Sequence, residues 1–187
     1  MYLFVQLFTI FRIPLAVTFG IIFLTTSSQL SLIVCLALLL LIEATDLFDG
    51  PLARKFNVAS EFGATLDPFS DSISRLIIYF SFAYNDYVIF FVPVSMAIRD
   101  IIVAYSRIIL AQRGKSVSAK ISGKIKAMVQ STGSFFILLG PFYWGEIGSN
   151  VYYFLSWLII TVTLLSSVQY GRSAIQAVSE SNRTGED

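Results

Sequence analysis

Four aspartates at helical spacing are the residues of this chain best placed to do chemistry. Asp46 and Asp49 are three apart; Asp67 and Asp71 are four apart. Those spacings put each pair on one face of a helix. Two antiparallel helices joined by one connection would bring the two pairs face to face. Four converging carboxylates repel one another, and a hard cation relieves the repulsion. Mg²⁺, Mn²⁺ and Ca²⁺ all favour oxygen donors, and two such ions can share one site. The residues between the pairs suit a ligand. Gly50 and Gly63 allow close approach, Ala53 keeps the same face shallow, and Arg54 offers a planar fork to a phosphate. The stretch therefore reads as metal, phosphate and a flat group packed on small residues. The plainer reading of one such pair is a solvated helix cap, and of the glycines, turn residues. Two pairs on consecutive helices with Gly50, Ala53, Arg54 and Gly63 between them fit that reading poorly.

Composition narrows the remaining chemistry. Among 187 residues there is no histidine and one cysteine, Cys35. His-based acid–base work, Ser-His triads, His metal sites and a disulfide framework are excluded. A net charge of +1 names no partner, and no nucleic acid is expected.

The elements that must position the aspartates are membrane helices. The chain is 56% hydrophobic and 13% charged, against about a quarter charged in soluble domains. A span needs ~20 mostly apolar residues. Candidates lie at roughly 4–25, 30–49, 67–84, 87–111, 125–144 and 150–171, with Pro68 in the first turn of the third, where a missing N–H is tolerated. The expected fold is an all-α integral membrane protein with six transmembrane helices. Residues 1–175 form a single membrane domain and 176–187 a polar, frayed tail. The N-terminus lacks a basic region and cleavage pattern, so it reads as the first span.

Lys and Arg set the orientation. Arg54 and Lys55 follow helix two; Arg113, Lys115, Lys120, Lys124 and Lys126 surround the connection between helices four and five; Arg172 and Arg183 follow helix six. The opposite connections contain neither. Both termini and the aspartates are therefore expected on the cytoplasmic side of the cell (inner) membrane, in a multi-pass protein.

Basic residues collect beside the acidic site. Arg99 and Arg107 are eight apart on helix four, about 80° apart around it. Lys120 and Lys124 enter helix five together, and Arg75 lies one turn past Asp71. Such a pocket suits a substrate bearing its own phosphate, such as glycerol 3-phosphate or inositol phosphate. Alternatively, Lys115 and Lys126 serve orientation, and Arg99 and Asp100 form a structural pair.

The run Asp46-x₂-Asp49-Gly50-x₂-Ala53-Arg54-x₈-Gly63-x₃-Asp67-x₃-Asp71 resembles, without a gap, the signature of the CDP-alcohol phosphatidyltransferase family. The resemblance implies displacement of CMP from a CDP-linked lipid or alcohol by another alcohol's hydroxyl. It implies that Asp46, Asp49, Asp67 and Asp71 hold Mg²⁺ or Mn²⁺, two ions in all, with Asp71 also the general base. It further implies that Gly50, Ala53 and Gly63 line the cytidine pocket, that Arg54 holds the diphosphate, and that the protein is a homodimer.

Within that family, Arg99, Asp100, Arg107, Gly114, Lys115, Gly123, Lys124, Lys126 and Gln130 look like the corresponding stretch of bacterial phosphatidylglycerophosphate synthases. Thr9 to Ile13 also resembles that group, with Arg12 near the diphosphate. Two departures fall on the acceptor side: Gln6 stands where that group usually has Asn, and Ser72 where Lys commonly follows the fourth aspartate. The resulting expectation is transfer of a phosphatidyl group from CDP-diacylglycerol to glycerol 3-phosphate, with release of CMP. Arg107, Lys124, Lys120, Arg75 and Arg99 would bind the acceptor's phosphate.

Two rival readings remain at this stage. One is the same chemistry with inositol phosphate, inositol, serine or an aminoalcohol. The other is a cation transporter lined by the four aspartates. The far halves of helices two and three, LSLIVCLALLLLI and LIIYFSFAY, are almost wholly apolar, with Glu43 and Arg75 still in the cytoplasmic half.

Overall fold

Apolar runs of this length leave the backbone no outside partner for its N–H and C=O groups, and the α-helix satisfies them within the segment. The computed structural model describes residues 2–55, 61–112 and 121–184, with side chains described within 9–45, 66–112 and 121–179, Glu146 and Ala177 excepted. Those residues form six α-helices: α1 (Tyr2–Thr25), α2 (Gln29–Lys55), α3 (Glu61–Tyr84), α4 (Phe91–Gln112), α5 (Ile121–Tyr143) and α6 (Gly148–Thr184), with a 3₁₀ turn at Gly145–Ile147. The described residues include no strand.

Helix ends differ most from the sequence expectation in three places. α2 continues to Lys55, so Asp46, Asp49, Gly50, Ala53 and Arg54 all lie on one helix. α3 begins at Glu61, which puts Gly63 on the helix and Pro68 in its interior rather than its first turn. There the proline withholds a helical hydrogen bond from the Ala64 carbonyl. α6 runs on through the polar tail to Thr184.

The helices alternate in direction. Arg12 on α1 meets Asp67 on α3, and further along, Asn85 Nδ2 just past the end of α3 donates to the Phe23 carbonyl on α1. α1 and α3 therefore run parallel, with α2 antiparallel beside α1. Tyr79 on α3 donates to the Gln130 carbonyl on α5, and Gln130 Nε2 to Thr163 on α6. α4 packs on α6, and the Ile89 amide just before α4 donates to Ser156 early in α6. This up–down order puts Arg12, Glu43, Asp67, Asp71, Arg75, Arg99, Asp100 and Lys126 toward one end of the bundle. The other end is aromatic: Phe23 stacks edgewise on Phe82 at 5.3 Å, and Tyr87 on Tyr152 at 5.1 Å. There Asp86 takes a left-handed turn at φ 59°, a conformation Asp tolerates.

Close helix contact relies on missing side chains. A Cβ at Gly20 would lie 3.0 Å from Ser81 Oγ, and one at Gly133 would lie 3.1 Å from Ile159 Cδ1 and 3.2 Å from the Tyr79 hydroxyl. Small polar residues fill the other interfaces: Ser74, Ser106, Ser134, Ser156, Thr163 and Ser166 are buried, as in helices that associate by tight packing in lipid. The outside is apolar, with Leu30, Phe91, Leu165 and Ile175 all exposed. A continuous apolar exterior of this kind is poorly suited to water.

One helix among the described residues is long and apolar enough to cross a membrane: Gly148–Gln176 within α6. Within their described side chains, α1 and α2 are apolar over Thr9–Thr25 and Gln29–Thr45. The other helices carry the charges that interrupt such a run: Asp67, Asp71 and Arg75 on α3, Arg99, Asp100 and Arg107 on α4, Lys124 and Lys126 on α5.

Candidate active site

The acidic residues stand where α2, α3, α1 and α5 meet. Asp67 Oδ1 accepts from Arg12 Nη2 at 2.8 Å. One turn along α3, Asp71 Oδ1 accepts from Arg75 Nε at 2.7 Å. The same guanidinium reaches α2: its Nη1 lies 3.5 Å from Glu43 Oε1, and its Nη2 lies 3.5 Å from Glu43 Oε2. It also donates to the Ala127 carbonyl on α5 at 3.3 Å. Glu43 shares a helix face with Asp46, three residues on, and Arg75 shares one with Asp71. The ion pair thus ties α2 to α3 one turn below the level of Asp46 and Asp71.

Chemically this end of the bundle presents oxygen donors to a cation. Asp67 is half exposed and Asp71 about a quarter exposed, so both carboxylates remain reachable. Among the described residues no three acids come together to hold a metal ion; Asp67 and Asp71 offer carboxylate oxygens of the kind a hard divalent ion takes. Asp46 and Asp49 are carried toward the same end by α2; their side chains, with those of Gly50, Ala53, Arg54 and Gly63, lie outside the described ones.

A second charged cluster joins α4, α5 and α6. Asp100 Oδ1 accepts from Arg99 Nη1 at 2.7 Å and lies 3.7 Å from Lys126 Nζ. Arg99 Nη2 donates to Ser166 at 3.3 Å, and the guanidinium lies 5.7 Å over the Tyr170 ring. Gly123 makes room for this: a Cβ there would meet the Tyr170 hydroxyl at 3.3 Å. Arg107 lies two turns further along α4, partly buried, and its Nε has no hydrogen-bond partner. Lys124 is exposed at the start of α5, and Lys120 falls outside the described residues.

The sequence profile of the CDP-alcohol phosphatidyltransferase family matches residues 3–169. The chain belongs to the CDP-alcohol phosphatidyltransferase family. A relative from Salmonella choleraesuis, named CDP-diacylglycerol–glycerol-3-phosphate 3-phosphatidyltransferase, is 32% identical over 169 residues, covering 88% of each chain. A relative of the same name from Escherichia coli K12 is 32% identical over 172 residues, covering 88% of this chain and 90% of its own. Another from Shigella sonnei matches at 32% over the same shares. The family signature residues fall on α2 and α3 here, spread over both helices rather than confined to the loop between them.

Three charged residues stand in the site's surroundings without having been picked out as ligand groups from the sequence: Glu43, Asp100 and Lys126. Lys126 looks like one more orienting lysine in a basic segment, yet it is buried, at 3% exposure. The legible signal was spacing. Lys126, Gln130, Gly133, Ile137 and Gly140 recur every three or four residues and form the inward stripe of α5. Arg75, expected with the acceptor's phosphate, is engaged with Asp71, Glu43 and Ala127.

Proposed function

We propose that this protein transfers the phosphatidyl group of CDP-diacylglycerol to glycerol 3-phosphate, releasing CMP. The observation that carries this reading is the near full-length family match, with every residue of the aspartate signature present on α2 and α3. The relatives' shared name supplies the donor and the acceptor.

In this reading six helices cross the cell membrane with both termini in the cytoplasm, and the aspartates open at the cytoplasmic leaflet. The apolar exterior supports lipid contact, and the Lys and Arg bias supports the orientation. The lipid donor enters sideways between helices, and two copies of the chain associate as a homodimer. Residues 1–175 act as the membrane domain and 176–187 as its polar extension.

Asp46, Asp49, Asp67 and Asp71 would hold two divalent ions, Mg²⁺ or Mn²⁺. When bound, these ions neutralise the diphosphate and ease departure of CMP. Gly50, Ala53 and Gly63 would admit the cytidine, and Arg54 and Arg12 would bind the diphosphate oxygens. Asp71 would accept the proton as the acceptor's hydroxyl oxygen attacks the phosphatidyl phosphorus and the bond to CMP breaks. Arg107, Lys124, Lys120 and Arg99 would hold the acceptor's phosphate, fixing its hydroxyl in line for attack. Cation transport is disfavoured because the buried residues beyond the carboxylates on α2 and α3 are largely apolar, among them Cys35, Leu39, Ile42, Ile78 and Phe82, with Ser31, Ser74 and Ser81 as small polar exceptions.

Product analysis tests the proposal. The reconstituted protein, given CDP-diacylglycerol, glycerol 3-phosphate and Mg²⁺, should form phosphatidylglycerophosphate by mass spectrometry. A different phospholipid formed only with inositol phosphate would move the acceptor. No product with either would sink the assigned reaction.

A further inference from the structure

The proposed chemistry gives Glu43 no task, yet Glu43 is joined to Asp71 through one guanidinium. The side chain of Arg75 is nearly buried, at 7% exposure, and Glu43 is 18% exposed. A guanidinium so placed needs partners on several sides. Arg75 has one on each of three helices: the Glu43 carboxylate on α2, the Asp71 carboxylate on α3 and the Ala127 carbonyl on α5. Its five donors sit in one rigid plane. Glu43 meets both Nη atoms, so it fixes that plane, and the plane in turn aims Nε at Asp71 Oδ1.

We infer that Glu43 and Arg75 are positioning residues for Asp71, holding in one rotamer the carboxylate that takes the acceptor's proton. The inference rests on the role proposed above for Asp71. It has two consequences. Loosening the clamp misplaces the base and costs about 10–100-fold in the chemical step. It leaves a divalent ion still held, because Asp46, Asp49 and Asp67 keep their places and, in Arg75→Met, loss of a cation offsets a less well placed Asp71.

The test uses the full chain in lipid nanodiscs, as Arg75→Met, Glu43→Gln and Asp71→Asn. Each variant is measured for kcat and KM in CMP release and, without substrate, for Mn²⁺ affinity by electron paramagnetic resonance. Arg75→Met should lose about 10–100-fold in kcat, with both KM values within about twofold and Mn²⁺ still bound. Glu43→Gln, isosteric and less disruptive, should shift kcat in the same direction by about 3–10-fold. It carries the test alone if Arg75→Met does not fold. Arg75→Lys, which keeps the charge but not the planar fork, should recover only part of the loss. Unchanged kcat in Glu43→Gln, or a raised acceptor KM with kcat kept in Arg75→Met, would overturn the inference. Asp71→Asn separates the layers: if it still releases CMP, the role of Asp71 falls. If it is dead while the other two are normal, the positioning inference falls alone.

Discussion

Arg12 on α1 donates to Asp67 on α3 across 2.8 Å, with the arginine buried at 1% exposure and the aspartate half exposed. The cation sits under the acid, and the acid faces outward. That arrangement leaves Asp67 reachable from outside, with Arg12 as its buried counter-charge. Arg12→Met, close in volume, should lower CMP release by about 10²-fold, as loss of one charge-stabilising donor does. Thermal unfolding should show a folded protein. Activity within about twofold of the parent would remove Arg12 from the diphosphate site.

Asp71→Asn keeps an oxygen for Arg75 to bond and so should leave the bundle intact. Without a carboxylate to accept the proton, turnover should fall by about 10²–10⁴-fold. Binding of CDP-diacylglycerol, followed by ligand-induced thermal stabilisation, should survive. Asp46→Asn should behave differently: its mark should be a Mg²⁺ titration displaced to higher concentration, and an unchanged titration would count against a ligand role for Asp46.

Asp100 holds two cations in place, Arg99 and Lys126. Asp100 lies between Arg99 and Lys126, so Asp100→Asn leaves two cations facing each other in a nearly closed space. Removing one member of such a set costs about 3–5 kcal/mol. Lys126→Met made in the Asp100→Asn background should restore part of that stability, because it removes one of the stranded charges. Denaturation of the two variants checks this; a double variant less stable than Asp100→Asn would contradict the assigned pairing.

Gly133 tests the packing of α3, α5 and α6. Gly133→Val would push against Ile159 and the Tyr79 hydroxyl and should cost about 1–3 kcal/mol, the usual range for overpacking. The molecules that remain folded should keep their turnover. An unfolding midpoint equal to the parent's would mean that the helices are further apart than described.

Arg107 and Lys124 bear on the acceptor. Arg107→Glu should raise KM for glycerol 3-phosphate by about 10-fold or more, since a like charge replaces an attractive one. KM for CDP-diacylglycerol should hold. An acceptor lacking phosphate would make the same change harmless.

Much of this was legible in the sequence because the determining signals are local. Six helices follow from apolar length, and the aspartate faces from spacings of three and four. Helix ends were less legible. α2 passes Asp49 to reach Lys55 because a membrane segment ends, for sequence reading, where polarity begins, while a helix ends where its hydrogen bonds do. Pro68 was expected in a first turn for the same reason. The pairing of Arg75 with Glu43 joins residues 32 apart, and no local pattern announces which of several nearby cations an acid will meet. Lys126 shows the converse: with Lys115 it reads as an orienting lysine, and only the inward register of α5 marks it as buried.

The most direct test of the central claim is CMP release from CDP-diacylglycerol by the purified protein with Mg²⁺, against glycerol 3-phosphate, inositol phosphate, inositol, serine and an aminoalcohol in parallel. CMP should appear with glycerol 3-phosphate, in step with loss of donor, and that signal should be lost on chelation of the metal. Release with another acceptor alone would contradict the assigned substrate, and no release with any would contradict the assigned reaction.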